Sequence, residues 1–160
     1  MLSPALDPFP IPTLIPSPGL AAQHPPISEV RLLSHRISAG FPSPAADYAD
    51  EGLDLNTYLI RNKAATYFLI VRGLSVTGAG IFDGDIVAVD RSLRPMHKDL
   101  VVAVVDGEYT IKRLWKAKGR IELHPENPDF EPIKFTDGME LQIWGVVTGV
   151  VRRFAVRGSS

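Results

Sequence analysis

Cysteine is absent from this chain. Disulfides, thiolate catalysis and Cys-ligated zinc are therefore excluded. A second absence is of charge imbalance: 17 basic against 18 acidic residues leave a formal net charge of −1. That gives no electrostatic case for nucleic acid or for an anionic membrane surface. No apolar run approaches the roughly 18 residues that would span a bilayer. The first residues also lack the basic start and apolar block of a secretion signal. The compartment expected is the cytoplasm, with no membrane and no cofactor. Charge is scarce in one place above all. Residues 1–44 hold only four Asp, Glu, Lys or Arg side chains but ten of the 14 prolines.

What is present divides accordingly. Pro4, Pro8, Pro10, Pro12, Pro16 and Pro18 remove the donors that a helix or a central strand needs, so this segment reads as an extended arm. Within Ile27 to Ile37, Val30, Leu32, Leu33 and Ile37 suit docking or an edge strand. Ser38-Ala-Gly-Phe-Pro-Ser-Pro44 follows, with small residues about the Ala39–Gly40 bond and prolines holding the chain extended just beyond it. Such a stretch fits a protease cleft, and equally an ordinary loop. Residues 53–61 predict about two turns of helix capped by Asp54, with Leu55 and Leu59 facing inward. The rest reads as β: strands at Thr66 to Arg72, Ile86 to Asp90, Leu100 to Val105, Glu108 to Trp115 and Arg120 to Leu123. Asp106-Gly107 marks a two-residue hairpin. Leu141 to Phe154, interrupted by Gly145 and Gly149, is one bent strand or two short ones. The fold class expected is mostly β, a partly closed antiparallel barrel with one short helix.

The four histidines, His24, His35, His97 and His124, fall in the arm or in Pro-flanked loops without ligand spacing, so no metal site is expected. Asp83 and Asp85 read as turn residues. The stretch Val71-Arg-Gly-Leu-Ser-Val-Thr-Gly-Ala-Gly80 places Ser75 at the end of an apolar strand among glycines. That can aim a hydroxyl and nearby N–H groups into a cleft, or be a turn with an incidental serine. Lys112 lies inside an apolar strand on the face of Thr110 and Leu114. Buried and unpaired, it would favour the neutral amine that can take a proton from a serine; at a sheet edge it would only pack its stem.

Six stretches together go further. They are Ala39-Gly-Phe-Pro-Ser-Pro-Ala-Ala-Asp-Tyr48, Asp54-Leu-Asn56, Ala65-Thr-Tyr-Phe68, Asp83-Gly-Asp85, Val105-Asp-Gly-Glu-Tyr-Thr-Ile-Lys112 and Gly145-Val-Val147. In this order, over residues 39–152, they resemble the LexA/UmuD family of self-cleaving Ser-Lys peptidases, on its SOS-mutagenesis branch. The intervals match as well, 36 residues from Ala39 to Ser75 and 37 from Ser75 to Lys112. The resemblance implies a barrel like the family's C-terminal domain, with Ser75 as nucleophile and Lys112 as general base. It further implies Ala39–Gly40 as the scissile bond, and the backbone N–H groups of Leu74 and Ser75 as oxyanion donors. The implied partners are a RecA filament on single-stranded DNA that stimulates cleavage, a second copy of the chain in a homodimer, and a UmuC-type Y-family polymerase subunit. The implied division is an arm at 1–39 removed by cleavage, a peptidase domain at 40–154 and a disordered tail at 155–160. One departure stands out: where the family has Gly-Asp-Ser-Met or Gly-Met-Ser-Met, this chain has Gly73-Leu-Ser-Val76. A non-cleaving interaction module of the same fold, or a Ser-Lys peptidase acting on separate substrates, are the alternatives.

Overall fold

A computed structural model describes residues 30–33, 39–40, 50–136 and 138–155. The expectations placed on residues 1–29, on His35 and Ile37, on the stretch from Phe41 to Tyr48 with Pro42 and Pro44, and on residues 156–160 lie outside them. The elements are β1 (Val30–Leu33), β2 (Asp50–Leu53), α1 (Leu55–Leu59), β3 (Thr66–Ile70), a single 3₁₀ turn (Thr77–Ala79), β4 (Ile86–Asp90), β5 (Leu100–Val105), β6 (Glu108–Ala117), β7 (Arg120–His124), β8 (Ile133–Lys134) and β9 (Leu141–Val151). Seven of the strands form one antiparallel sheet in the order β3-β4-β9-β5-β6-β7-β8, and β1 pairs with β2 apart from it. The fold is thus mostly β with one short helix, and the large sheet is not closed: β3 and β8 end it.

Local chemistry explains the layout. At the β5–β6 and β6–β7 junctions, Asp106-Gly107 and Lys118-Gly119 all take positive φ (49° and 86°, 50° and 75°). Two consecutive left-handed residues make the turn whose twist matches the strands it joins. Asp54 caps α1 by accepting from the Asn56 N–H at 2.9 Å, with its second oxygen bound by the Thr57 hydroxyl at 2.7 Å. The inward packing expected of Leu55 does not occur: it is 52% exposed. The helix has only five residues, and it is Leu59, at its far end, that lies against Gly149 of β9.

Along β5, Val102 packs with Val71, Val76, Ile81, Val87 and Val89, while Val101 and Ala103 pack with Leu114, Leu123 and Val146. Alternation on a strand sends neighbours to opposite faces, so the sheet carries a buried layer on each side. β9 is one bent strand rather than two. Its register slips against β4 between Ala88 and Val89, and against β5 between Val102 and Ala103. The second slip leaves Trp144 as an extra residue between Gly145 and Ile143, a β-bulge.

Candidate active site

β3 delivers the chain to the loop that carries Ser75. Beyond Ile70, Val71 extends the pairing by one more step, its N–H donating to the Asp85 carbonyl (2.8 Å) and its carbonyl accepting from the Gly84 N–H (2.9 Å). The loop between them is fixed from three sides. Val76, the departure from the family pattern, is fully buried in the first apolar layer. Burying such a side chain contributes roughly 1.5–3 kcal/mol. A single loop hydrogen bond contributes about 1 kcal/mol. The valine therefore does more than any one of those bonds to fix the height of the loop, with Ser75 half-buried beside it.

Residues 126–127 hold the second side. The Glu126 N–H donates to the Ser75 carbonyl at 2.8 Å, the Gly78 N–H to the Glu126 carbonyl at 2.6 Å, and the Asn127 side-chain amide to the Leu74 carbonyl at 2.8 Å. Here the backbones approach so closely that a Cβ on Gly78 would stand 2.4 Å from the Glu126 carbonyl oxygen. We expect Gly78→Ala to cost about 1–3 kcal/mol, since the obstacle is backbone and cannot swing aside. Urea unfolding checks this; a midpoint equal to that of the parent would mean the loop is not pinned at Glu126.

Arg152, just past β9, holds the third side. Its Nε donates to Asp85 Oδ1 at 2.6 Å and its Nη2 to Asp85 Oδ2. The same Nη2 reaches the Gly80 carbonyl at 2.8 Å, and the guanidinium lies over the Phe82 ring at 4.6 Å. Asp85 is buried, and its carboxyl is held below the usual carboxylate range chiefly by the Arg152 hydrogen bonds, against the opposing effect of burial. A carboxyl lowered in the folded state contributes stability that is present above its unfolded pKa and lost as acid carries the pH through the folded pKa. Arg152→Ala should therefore lower Tm at neutral pH and shrink the acid-induced fall of Tm that runs from about pH 5 down through the lowered folded pKa of Asp85. Parallel acid profiles for variant and parent would count against the pair.

Lys112 enters from β6. Its Nζ donates to Ser75 Oγ at 2.8 Å, to Thr110 Oγ1 at 2.9 Å and to the Ile111 carbonyl at 3.2 Å. The side chain is buried, no carboxylate pairs with it among the described residues, and burial pushes its pKa down. A charged amine has three N–H donors for these three acceptors. A neutral amine keeps two, matching Thr110 and Ile111, and turns its lone pair to the Ser75 hydroxyl. The arrangement can thus remove a proton from Ser75 without stranding a buried polar atom. Among the described residues, neither the Leu74 nor the Ser75 N–H donates to a protein acceptor.

The remaining sequence candidates separate from this pair. Ala39 and Gly40 form an exposed bend, with nothing within 4 Å of where a Gly40 Cβ would stand. His97 accepts the Lys116 N–H at Nδ1 (3.0 Å) and sets its ring against Trp115. His124 closes β7, not a loop, and pairs with Glu122 at 2.7 Å. Among the described residues no three His, Asp or Glu side chains stand together as metal ligands. Sequence reasoning did not pick out Glu126, Asn127 or Arg152. Glu126 acts on the loop through its backbone N–H and carbonyl, and Asn127 through an amide that meets Leu74 from 53 residues away, so neither leaves a local pattern to read. Thr110 had been placed on the lysine's face, and that alternation was the available signal.

With this geometry in view, comparison with known proteins is informative. Residues 31–148 match the family model described as peptidase S24-like. Protein SamA of Salmonella typhimurium is 47% identical over 131 residues, covering 82% of this chain and 91% of that protein. Protein MucA of Escherichia coli is 48% identical over 115 residues, covering 71% and 77%. The LexA repressor of Bordetella pertussis is 36% identical over 137 residues, covering 85% and 63%.

Proposed function

The chain belongs to the peptidase S24-like family, as a UmuD-like member of the LexA/UmuD group, and from that membership we propose that it cuts its own Ala39–Gly40 bond with a Ser75–Lys112 dyad. One observation carries the reading: the buried Lys112 Nζ lies 2.8 Å from Ser75 Oγ with no carboxylate among the described residues to keep it charged. The neutral amine takes the Ser75 proton as Oγ attacks the Ala39 carbonyl carbon. The N–H groups of Leu74 and Ser75 stabilise the resulting oxyanion. Collapse breaks the bond to Gly40, whose nitrogen leaves as an amine after taking the proton from Lys112. Water then attacks the Ala39–Ser75 ester, with Lys112 again as base, and frees residues 1–39.

The proposed division is an arm at 1–39, a peptidase domain at 40–154 and a tail at 155–160. Ala39–Gly40 lies exposed, so docking it costs chain entropy and cleavage should wait on a partner that favours the docked state. A RecA filament on single-stranded DNA would fill that role. The shortened chain, as a homodimer in the bacterial cytoplasm, would join a UmuC-type polymerase subunit in SOS mutagenesis. Among the described residues no helix is long and apolar enough to cross a membrane.

Incubating the pure chain with and without RecA filaments, then weighing the products, tests the reading. Fragments 1–39 and 40–160 support it. An intact chain under both conditions would make it a non-cleaving interaction module, and cutting of added chains alone would make it a peptidase acting in trans.

A further inference from the structure

A nucleophile and a base do not by themselves aim the Ser75 N–H at a developing oxyanion. That N–H belongs to the peptide joining Leu74 to Ser75. A trans peptide is planar, with its carbonyl and its N–H on opposite sides, so whatever holds the Leu74 carbonyl also sets the direction of the Ser75 N–H. The Asn127 side chain holds it, its amide donating to that carbonyl at 2.8 Å from 53 residues away. The Thr77 N–H reaches the same oxygen only at 3.4 Å, beyond the usual range for such a bond, so Asn127 is the stronger hold.

The amide is fixed in this orientation. Asn127 Oδ1 accepts the Asp129 N–H at 2.9 Å, and a flipped amide would set donor against donor there and oxygen against oxygen at Leu74. Pro125 and Pro128 flank residues 126–127 and narrow the backbone conformations open to them. Glu126 donates its N–H to the Ser75 carbonyl at 2.8 Å, and its carboxylate pairs with Arg113, the neighbour of Lys112 on β6. Two adjacent residues therefore hold the peptides on both sides of Ser75 and are tied to the strand that carries the base.

We propose that Asn127 is a positioning residue for self-cleavage: by holding the Leu74 carbonyl, its amide keeps the Ser75 N–H turned away from residues 126–127 and open to the oxyanion. The chemistry rests on the Ser75–Lys112 reading; the hold on the peptide does not. Among the described residues the Ser75 N–H donates to no protein acceptor, as a donor reserved for a transient charge must. Once released, the peptide can rotate, and the oxyanion loses a preorganised donor.

Asn127→Asp is the sharp variant, since a carboxylate still accepts the Asp129 N–H but cannot donate to Leu74. Asn127→Ala adds no charge and controls for the new carboxylate. Across a pH series with RecA filaments, both should cut Ala39–Gly40 at least about 10-fold more slowly on the alkaline plateau, short of the roughly 10²–10³-fold that losing a donor outright costs. The midpoint of the Asn127→Ala profile should stay at that of the parent, and the Asn127→Asp chain should melt close to the parent. A second measurement needs no cleavage. In a full chain kept whole by Ser75→Ala, the residue 75 amide should give one sharp NMR signal, broadened or split once Asn127→Asp is added. An unchanged residue 75 signal would overturn the proposal. So would parental cleavage rates in both variants, or a plateau kept while the Asn127→Ala midpoint moves. A parent that never cleaves would defeat the dyad reading and the catalytic role with it, and the amide signal would still show whether Asn127 holds the peptide.

Discussion

Ser75→Ala should lower cleavage at Ala39–Gly40 by at least about 10³-fold, because without the hydroxyl no acyl intermediate can form. The fold should survive. Ser75 sits half-buried at the rim of the first apolar layer, and its loop position rests on Val76 and on backbone bonds from Glu126, none of which use the hydroxyl. Loss of one hydrogen bond from Lys112 should change stability by about 1 kcal/mol or less. Mass spectrometry after incubation with RecA filaments, run beside thermal melts, reads both quantities. If the variant still yields the 1–39 fragment, the nucleophile lies elsewhere. If it melts far below the parent, loss of cutting would reflect misfolding, and Ser75→Cys, which restores a nucleophile of similar shape, becomes the deciding variant.

The other large effect concerns pH. If Lys112 is the base, only its neutral form can accept the Ser75 proton, so the cleavage rate should climb about tenfold per pH unit until the lowered folded pKa is reached, then level off. Stability should follow a related course. A lysine whose folded pKa is depressed penalises folding in full below that pKa, and the penalty fades as pH rises toward the unfolded value. Lys112→Ala should remove both the alkaline gain in stability and nearly all cleavage. Lys112→Arg should be equally inactive, because guanidinium keeps its proton throughout this range. Stopped incubations across a pH series, quantified by fragment mass, give the profile. A Lys112→Ala chain that cleaves at the parental rate at alkaline pH would remove the dyad.

Much of the architecture could be read before any coordinates, for identifiable reasons. Asp106-Gly107 and the Asp54 cap are local features, and each worked where it was expected because nothing distant competes with a tight turn or a cap. β4 and β5 have the boundaries their apolar runs indicated. Leu55 misled because spacing alone does not say which side of a five-residue helix meets the sheet. The approach of Ser75 and Lys112 across 37 residues was beyond residue-by-residue reading. Alternation put Lys112 on a face, but only the resemblance named its partner. Arg152 was unreadable for a related reason, since its role depends on the end of β9 meeting the start of β4, a pairing that sequence does not announce.

β3 has consequences that reach past the reaction. Thr66-Tyr-Phe-Leu-Ile70 ends the large sheet, carries no charge, and has a hydrogen-bonded neighbour on one side only among the described residues. A short, uncharged, aromatic edge is a template on which another chain's backbone can add, and that is the common first step of aggregation. Lys63 and Arg72 stand just outside it, exposed, in the positions where flanking charges discourage such stacking. Solubility at high concentration therefore depends on two cations that take no part in the Ser75–Lys112 contact.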